Sequence, residues 1–447
     1  MKGKPWLNKL QKFIKRRRLT SIWGRLAALQ ILVLLIFVVT WPPVQLTLVV
    51  PASEVPYWQS SIRQFEEKNR DIRISLRGLE EPQGDITGQL RRLCDINQIT
   101  GHSLCDLIYA DIIWVPEFAA KGLLMELSDK VTESELAELL DSDVAVGRYQ
   151  GGLYRIPFRS DVGMLYYRQD LLEQAGIEAP ETFQELLEIS KNLQQQGLVE
   201  WGYLWQGQQY EGLAAMFVEV LKGYGGFWID QETKEVGLDR KEAIAAVKFL
   251  IRTIDEQVSP PQVLLYSEDN SFEQFLQGNA AFLRNWPYFW RLANAEDSPL
   301  QGKVGIKPMT LHTTGNKGGG CKGNWGLAIS KTSEHAQAAW KAIKYFTSVQ
   351  AQYQFMLEAG YVPSRKVLFK DPKIVERYPH FPEIFDALKQ SVLRPPIPQY
   401  VEASEILQQY LSAALRKQLT PEEAMSKAAV GTRQLLWGGM RGDEVMR

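Results

Sequence analysis

The hydrophobic pattern opens with a run and only later becomes periodic. Residues 26–39, LAALQILVLLIFVV, are apolar and uncharged. QLTLVV at 45–50 reads as a buried strand, and residues 56–68 set Trp58, Ile62 and Phe65 at helical spacing. DIRISL at 71–76 alternates as a strand does, and 104–109 is a further apolar strand ending at Asp111. Strand and helix in alternation predict an α/β fold with a largely parallel sheet covered by helices.

Helix-start signals follow. Thr182 with Glu185 forms a capping box, and that helix stops near Gly197. Asp239 with Glu242 precedes a stripe of Ile244, Val247, Leu250, Ile251 and Ile254. Thr420-Pro421 with Glu423 combines an N-cap, a proline at the first helical position and a capping acid. Residues 318–326, GGGCKGNWG, read as a loop feeding the apolar run Leu327–Ile329. A two-lobe division fits: 45–155 plus about 299–350 in one α/β lobe, 156–298 plus about 351–447 in a second, more helical one. Chain crossings between the lobes would act as hinges.

Charge changes the picture at the N-terminus. Nine of the 51 bases (Lys2, Lys4, Lys9, Lys12, Lys15, Arg16, Arg17, Arg18, Arg25) and none of the 52 acids fall in residues 1–44, so the rest carries a net charge of -10. A basic arm before an apolar run predicts a cytoplasmic arm and a signal or anchor helix. With Ile22, Trp23 and Trp41–Pro43 the segment 22–43 approaches membrane-spanning length. No small-x-small cleavage site is evident, which favours an uncleaved anchor. An acidic body argues against a nucleic-acid partner. In an oxidising compartment Cys94 and Cys105 would close a short loop worth about 2–3 kcal/mol, leaving Cys321 unpaired. Two buried thiols are the alternative.

Several catalytic signatures are missing. The four histidines are scattered, and no HExxH, CxxC, GxSxG or GxxxxGK[ST] string occurs, so neither a metal ligand set nor a cofactor is expected. What stands out is tryptophan in polar, turn-rich settings: ADIIW at 110–114, WGYLWQG at 201–207, RNWPY at 284–288 and GNWG at 323–326. A pyranose has an apolar C–H face and a hydroxyl rim, suited to an indole below and carboxylate, amide or guanidinium groups around it. Tyr166-Tyr167 reads as strand, because alternation lets at most one of them face a cleft.

Six strings carry a resemblance: YADIIWVPEFAAKGLL (109–124), GGLYRIPFRSDVGMLYYRQDLLEQAG (151–176), GYLWQGQQYEGL (202–213), GNAAFLRNWPYFW (278–290), GNWGLAISK (323–331) and RPPIPQYVEASEILQQYL (394–411). Over about 45–435 the chain resembles the solute-binding proteins of ABC sugar importers, in particular the trehalose/maltose-binding group. The resemblance implies two α/β lobes closing over a sugar, the maltose-binding-protein-like fold, and an ABC permease as partner. Residue by residue it implies that Glu54, Asp111 and Asp161 bond sugar hydroxyls, that Trp286 and Trp325 stack on sugar, that Arg394 reaches the ligand and that Gly360 offers backbone near it. Asn324 stands where the family's loop has a second glycine. Arg284, beside the tryptophan motif, is either a contact or a structural ion pair.

The expectation is a non-enzymatic, monomeric binding protein on the outer side of a bacterial plasma membrane, taking trehalose, maltose, sucrose or glucosylglycerol. Two rivals remain open at this point. One is a hydrolase using two of Glu54, Asp111 and Asp161. The other is a sugar-sensing module for a membrane receptor.

Overall fold

A computed structural model of the chain describes residue 30 and residues 42–79, 88–90, 92–93 and 104–443. The basic arm, the expected membrane helix apart from residues 30, 42 and 43, and Cys94 with its expected bond to Cys105 lie outside the described residues. Among the described residues no helix is long and apolar enough to cross a membrane.

Strands in chain order are β1 (Val44–Pro51), β2 (Ile72–Leu79), β3 (Leu107–Asp111), β4 (Arg148–Tyr149), β5 (Gly152–Leu153), β6 (Ile156–Val162), β7 (Met164–Arg168), β8 (Trp201–Leu204), β9 (Ala280–Asn285), β10 (Val304–Pro308), β11 (Lys322–Ile329) and β12 (Val362–Pro363). One sheet has the order β12-β6-β11-β3-β1-β2, another β10-β7-β9-β8, and β4 and β5 form a short hairpin. β1 runs parallel to β2 and β3, as the alternation of strands and helices predicts. β11 is antiparallel to both β3 and β6, and β12 is antiparallel to β6. The sheet is therefore mixed and not largely parallel. Its late strands return from the second lobe, so no tight crossover helix constrains their direction.

Trp58 explains how the first lobe closes. The helix Val55–Lys68 buries Trp58, Ile62 and Phe65 on one face. Trp58 stacks on Phe158 at 4.9 Å and meets Tyr109, Phe346 and Phe355 within 5.1–5.3 Å. Phe355 lies on the helix Val349–Ala359, so this late segment belongs to the first lobe's core. In the second lobe the helix Glu211–Gly223 is buried along nearly its whole length. The helices Lys241–Asp255 and Tyr400–Leu415 pack against it, and Pro421–Asp443 packs on those two.

The capping boxes at Thr182 and Thr420 form as read. The Asp239 signal does not: Arg240 is the N-cap, and Asp239 instead holds Arg433 at 2.7 Å. The strand before Ile329 begins at Lys322, inside the stretch read as loop. Sheet membership also moves the lobe boundaries. β6 belongs to the first sheet, so the first crossing falls at Gly163 and not at 155/156. β10 belongs to the second sheet although it follows residue 299, and β12 to the first although it follows 351. Hydropathy cannot separate these cases, because a buried strand looks the same in either sheet. Gly163 is where a side chain has no room, since a Cβ there would lie 1.7 Å from Glu219 Oε1.

Candidate functional site

β3 and β6 are buried along their whole lengths, yet β3 ends in Asp111 and β6 carries Arg159 and Asp161 in its last four residues. Buried charge persists only with partners, and these partners build the site. Asp111 closes β3 and accepts a hydrogen bond from the backbone N–H of Ile113 at 3.4 Å. The β3–β11 register sets Trp325 opposite Asp111, and the β6–β11 register sets Gly323 opposite Asp161. Arg159 precedes Asp161 by two, so strand alternation turns both side chains to the same side.

The Arg159 guanidinium sits 2.9 Å from Glu54 Oε1 and 3.2 Å from Asp161 Oδ2. It also lies 3.9 Å from the Tyr361 ring centre, 5.3 Å from that of Trp325 and 5.8 Å from that of Tyr109. Glu54, in the turn before the first helix, makes no cap bond to that helix; its side chain turns to Arg159 instead. Burial pushes the Glu54 carboxyl up and Arg159 pulls against it. Burial also raises Asp161 to about 7: Arg159 lowers it, while Glu54, Asp111 and Asp143 add to the rise. Among the described residues Glu54 Oε2, Asp161 Oδ1 and Tyr109 Oη are buried without a well-formed hydrogen bond.

From the second lobe, Trp286 follows β9. Its indole N–H donates to Glu268 Oε1 at 3.2 Å. The Arg284 guanidinium covers its ring at 4.2 Å. Arg284 is wholly buried and held by both oxygens of Glu219, at 2.6 and 2.9 Å. It is thus the structural ion pair and not a ligand contact. Trp286 reaches the first lobe at Gly323, whose missing side chain leaves room beside Asp161 and the indole. Arg394 comes from the segment after the last crossing. It binds Asp111 at 3.2 Å and Glu211 at 2.8 Å. Glu211 also accepts hydrogen bonds from Tyr400 Oη at 2.5 Å and Ser404 Oγ at 2.6 Å. Gly360 ends the helix Val349–Ala359 with φ 76° and packs on Arg291 and the Tyr288 carbonyl.

Glu54, Asp111, Asp161, Trp286, Trp325, Arg394 and Gly360 thus fall in one contiguous cluster between the two sheets. Trp286 and Trp325 keep partly exposed faces, whereas Trp205 is fully buried, with its indole N–H on Thr253 and Ser259. Asn324 is tied to Arg155 through its side chain and its carbonyl. Arg159, Tyr361, Glu211 and Glu268 escaped the sequence reading. Only Arg159 left a signal there, its spacing of two from Asp161 on one strand. The cluster offers unpartnered acceptor oxygens, fixed guanidinium donors and half-covered indoles, a complement to a neutral molecule rich in hydroxyls.

The family profile described as bacterial extracellular solute-binding protein matches residues 51–353. A Deinococcus radiodurans protein named "Probable ABC transporter-binding protein" is 28% identical over 328 residues, 72% of this chain and 77% of its own. The maltotriose-binding protein of Pyrococcus abyssi is 25% identical over 266 residues, 58% of this chain and 55% of its own. Among solved structures, maltose-bound T. maritima MalE3 is 33% identical with a TM-score of 0.81, spanning 88% of this chain and 100% of that one. A Thermotoga lettingae ABC transporter solute-binding protein bound to α-D-tagatose is 27% identical with a TM-score of 0.77, spanning 88% and 100%. The two-lobe α/β architecture is shared with these structures, and the chain belongs to the bacterial extracellular solute-binding protein family.

Proposed function

We propose that this chain captures a small α-linked glucoside (trehalose, maltose, sucrose or glucosylglycerol) between its two sheets and presents it to the transmembrane subunits of an ABC importer. The observation that carries this reading is the convergence of Asp111, Asp161, Trp286, Trp325 and Arg394, from separate elements, on one interlobe cluster. The likeness to the maltose-bound structure supports the choice of an α-glucoside. The sugar stacks on Trp286 and hydrogen-bonds to Asp111, Asp161 and Arg394. Such contacts from both lobes favour the closed form, which the permease reads. Residues 22–43 hold the monomeric body at the outer face of the plasma membrane, a reading supported by the basic arm before the apolar run. Titration calorimetry against the four sugars tests the ligand. Saturable one-site binding of one of them is expected, and no binding of any would overturn the reading.

A second reading rests on Asp161. A carboxyl held near 7 is what a glycosidase acid needs. Incubation with the disaccharides and an assay for free glucose separates the two. No glucose release is expected from a transport receptor, and turnover would establish the hydrolase.

A further inference from the structure

Arg159 stands at the centre of the first lobe's part of the cluster. Arg159 is nine-tenths buried, paired with two carboxylates and packed against three aromatic rings. Its guanidinium lies over Tyr361, and Phe355 stacks on the same ring at 5.9 Å. Trp325 has Arg159 against it, Tyr109 at 5.1 Å and the edge of Trp114 at 5.3 Å. Arg159 thus covers one face of Tyr361 and one of Trp325.

Resting on the proposed function, we infer that Arg159 is a specificity-determining residue: it plugs the Glu54 end of the cleft and limits the ligand to one or two rings. A longer α-glucan could gain Tyr361, and the Trp325 face under Arg159, only by displacing the guanidinium. That would strand a buried cation and leave Glu54 and Asp161 facing each other, a cost that a neutral sugar ring cannot offset. Glu54 is then a positioning residue, acting through Arg159. Its Oε1 holds the guanidinium, and Trp58 and Tyr109 also interact with its carboxylate. A planar fork is required here, because it pairs with both acids and still lies flat on an aromatic ring; an ammonium does not.

The test uses the full chain with maltose, maltotriose and maltotetraose in titration calorimetry. Wild type should bind maltose at least 10-fold more tightly than maltotriose. The charge-neutral double variant Glu54→Gln/Arg159→Gln should bring that ratio close to one. Arg159→Lys keeps the charge, serves if the double variant fails to fold, and should narrow the ratio at least threefold. A merely structural role would lower all affinities together and leave the ratio unchanged, which overturns the inference. So would wild-type binding of maltotriose as tight as that of maltose. Absence of any glucoside binding to wild type would overturn the inference and the proposed function together, whereas an unchanged ratio overturns the inference alone.

Discussion

Arg394 and Asp111 form a buried ion pair, 3.2 Å long, between a segment of the second lobe and the last residue of a strand in the first. A surface pair of this kind would contribute little. This one is different, because Arg394 is only 5% exposed and Glu211 holds its other nitrogen. Removing one partner of such a pair leaves the others uncompensated.

Arg394→Ala should therefore lower the unfolding free energy by about 3 kcal/mol, the usual cost of breaking a buried pair from one side. Asp111→Asn should cost less, because its oxygen still accepts from Arg394. A double-mutant cycle followed by denaturant unfolding should show coupling of about 1 kcal/mol or more. Additive effects would mean that the two residues do not interact.

Trp286→Ala removes the indole between the Arg284 guanidinium and the cleft. The unliganded protein should stay folded, since Arg284 keeps Glu219 and Gln206. The upward shift in Tm on adding saturating sugar, equivalent to about 2.7 kcal/mol at 100 times Kd, should disappear. An undiminished shift in thermal melts would remove Trp286 from the binding surface.

Asp161 predicts a pH dependence. Its folded carboxyl titrates near 7 because burial disfavours the charge, while an unfolded aspartate titrates near about 3.9. The folded state therefore binds the proton more tightly. The resulting stabilisation is complete below about pH 4 and is lost as pH rises to about 7. Melts across that window should show Asp161→Asn flattening the fall in Tm. A slope identical to wild type would show that this carboxyl titrates normally.

Gly360→Ala tests backbone geometry. The residue has φ 76°, and a Cβ there would lie 3.0 Å from Arg291 Cβ and 3.3 Å from the Tyr288 carbonyl. A left-handed alanine costs about 1–2 kcal/mol, so chemical denaturation should register a loss of at least that size. A neutral substitution would mean that the helix end relaxes freely.

The resemblance named the residues of the candidate cluster, and a few of them also stand at punctuation points in the sequence. Asp111 ends an apolar strand, Trp286 precedes a proline, and the stretch around Trp325 is glycine-rich. What was not legible was the partner of each. Nothing in the spacing links Arg394 to Glu211, 183 positions away, or Arg159 to Glu54. Asp239 shows the same limit, since a sound local cap signal lost to an ion pair with Arg433 nearly two hundred residues on.

Local chemistry wrote the helices and their caps into the sequence. The Thr182–Glu185 and Thr420–Glu423 boxes close over three residues, and the Trp58 stripe needs only helical periodicity. Strand direction, sheet membership and the choice of charge partners waited for the folded chain. A buried strand is apolar whichever neighbour it pairs with, and an arginine reads as solvated surface until the fold takes away the water around it.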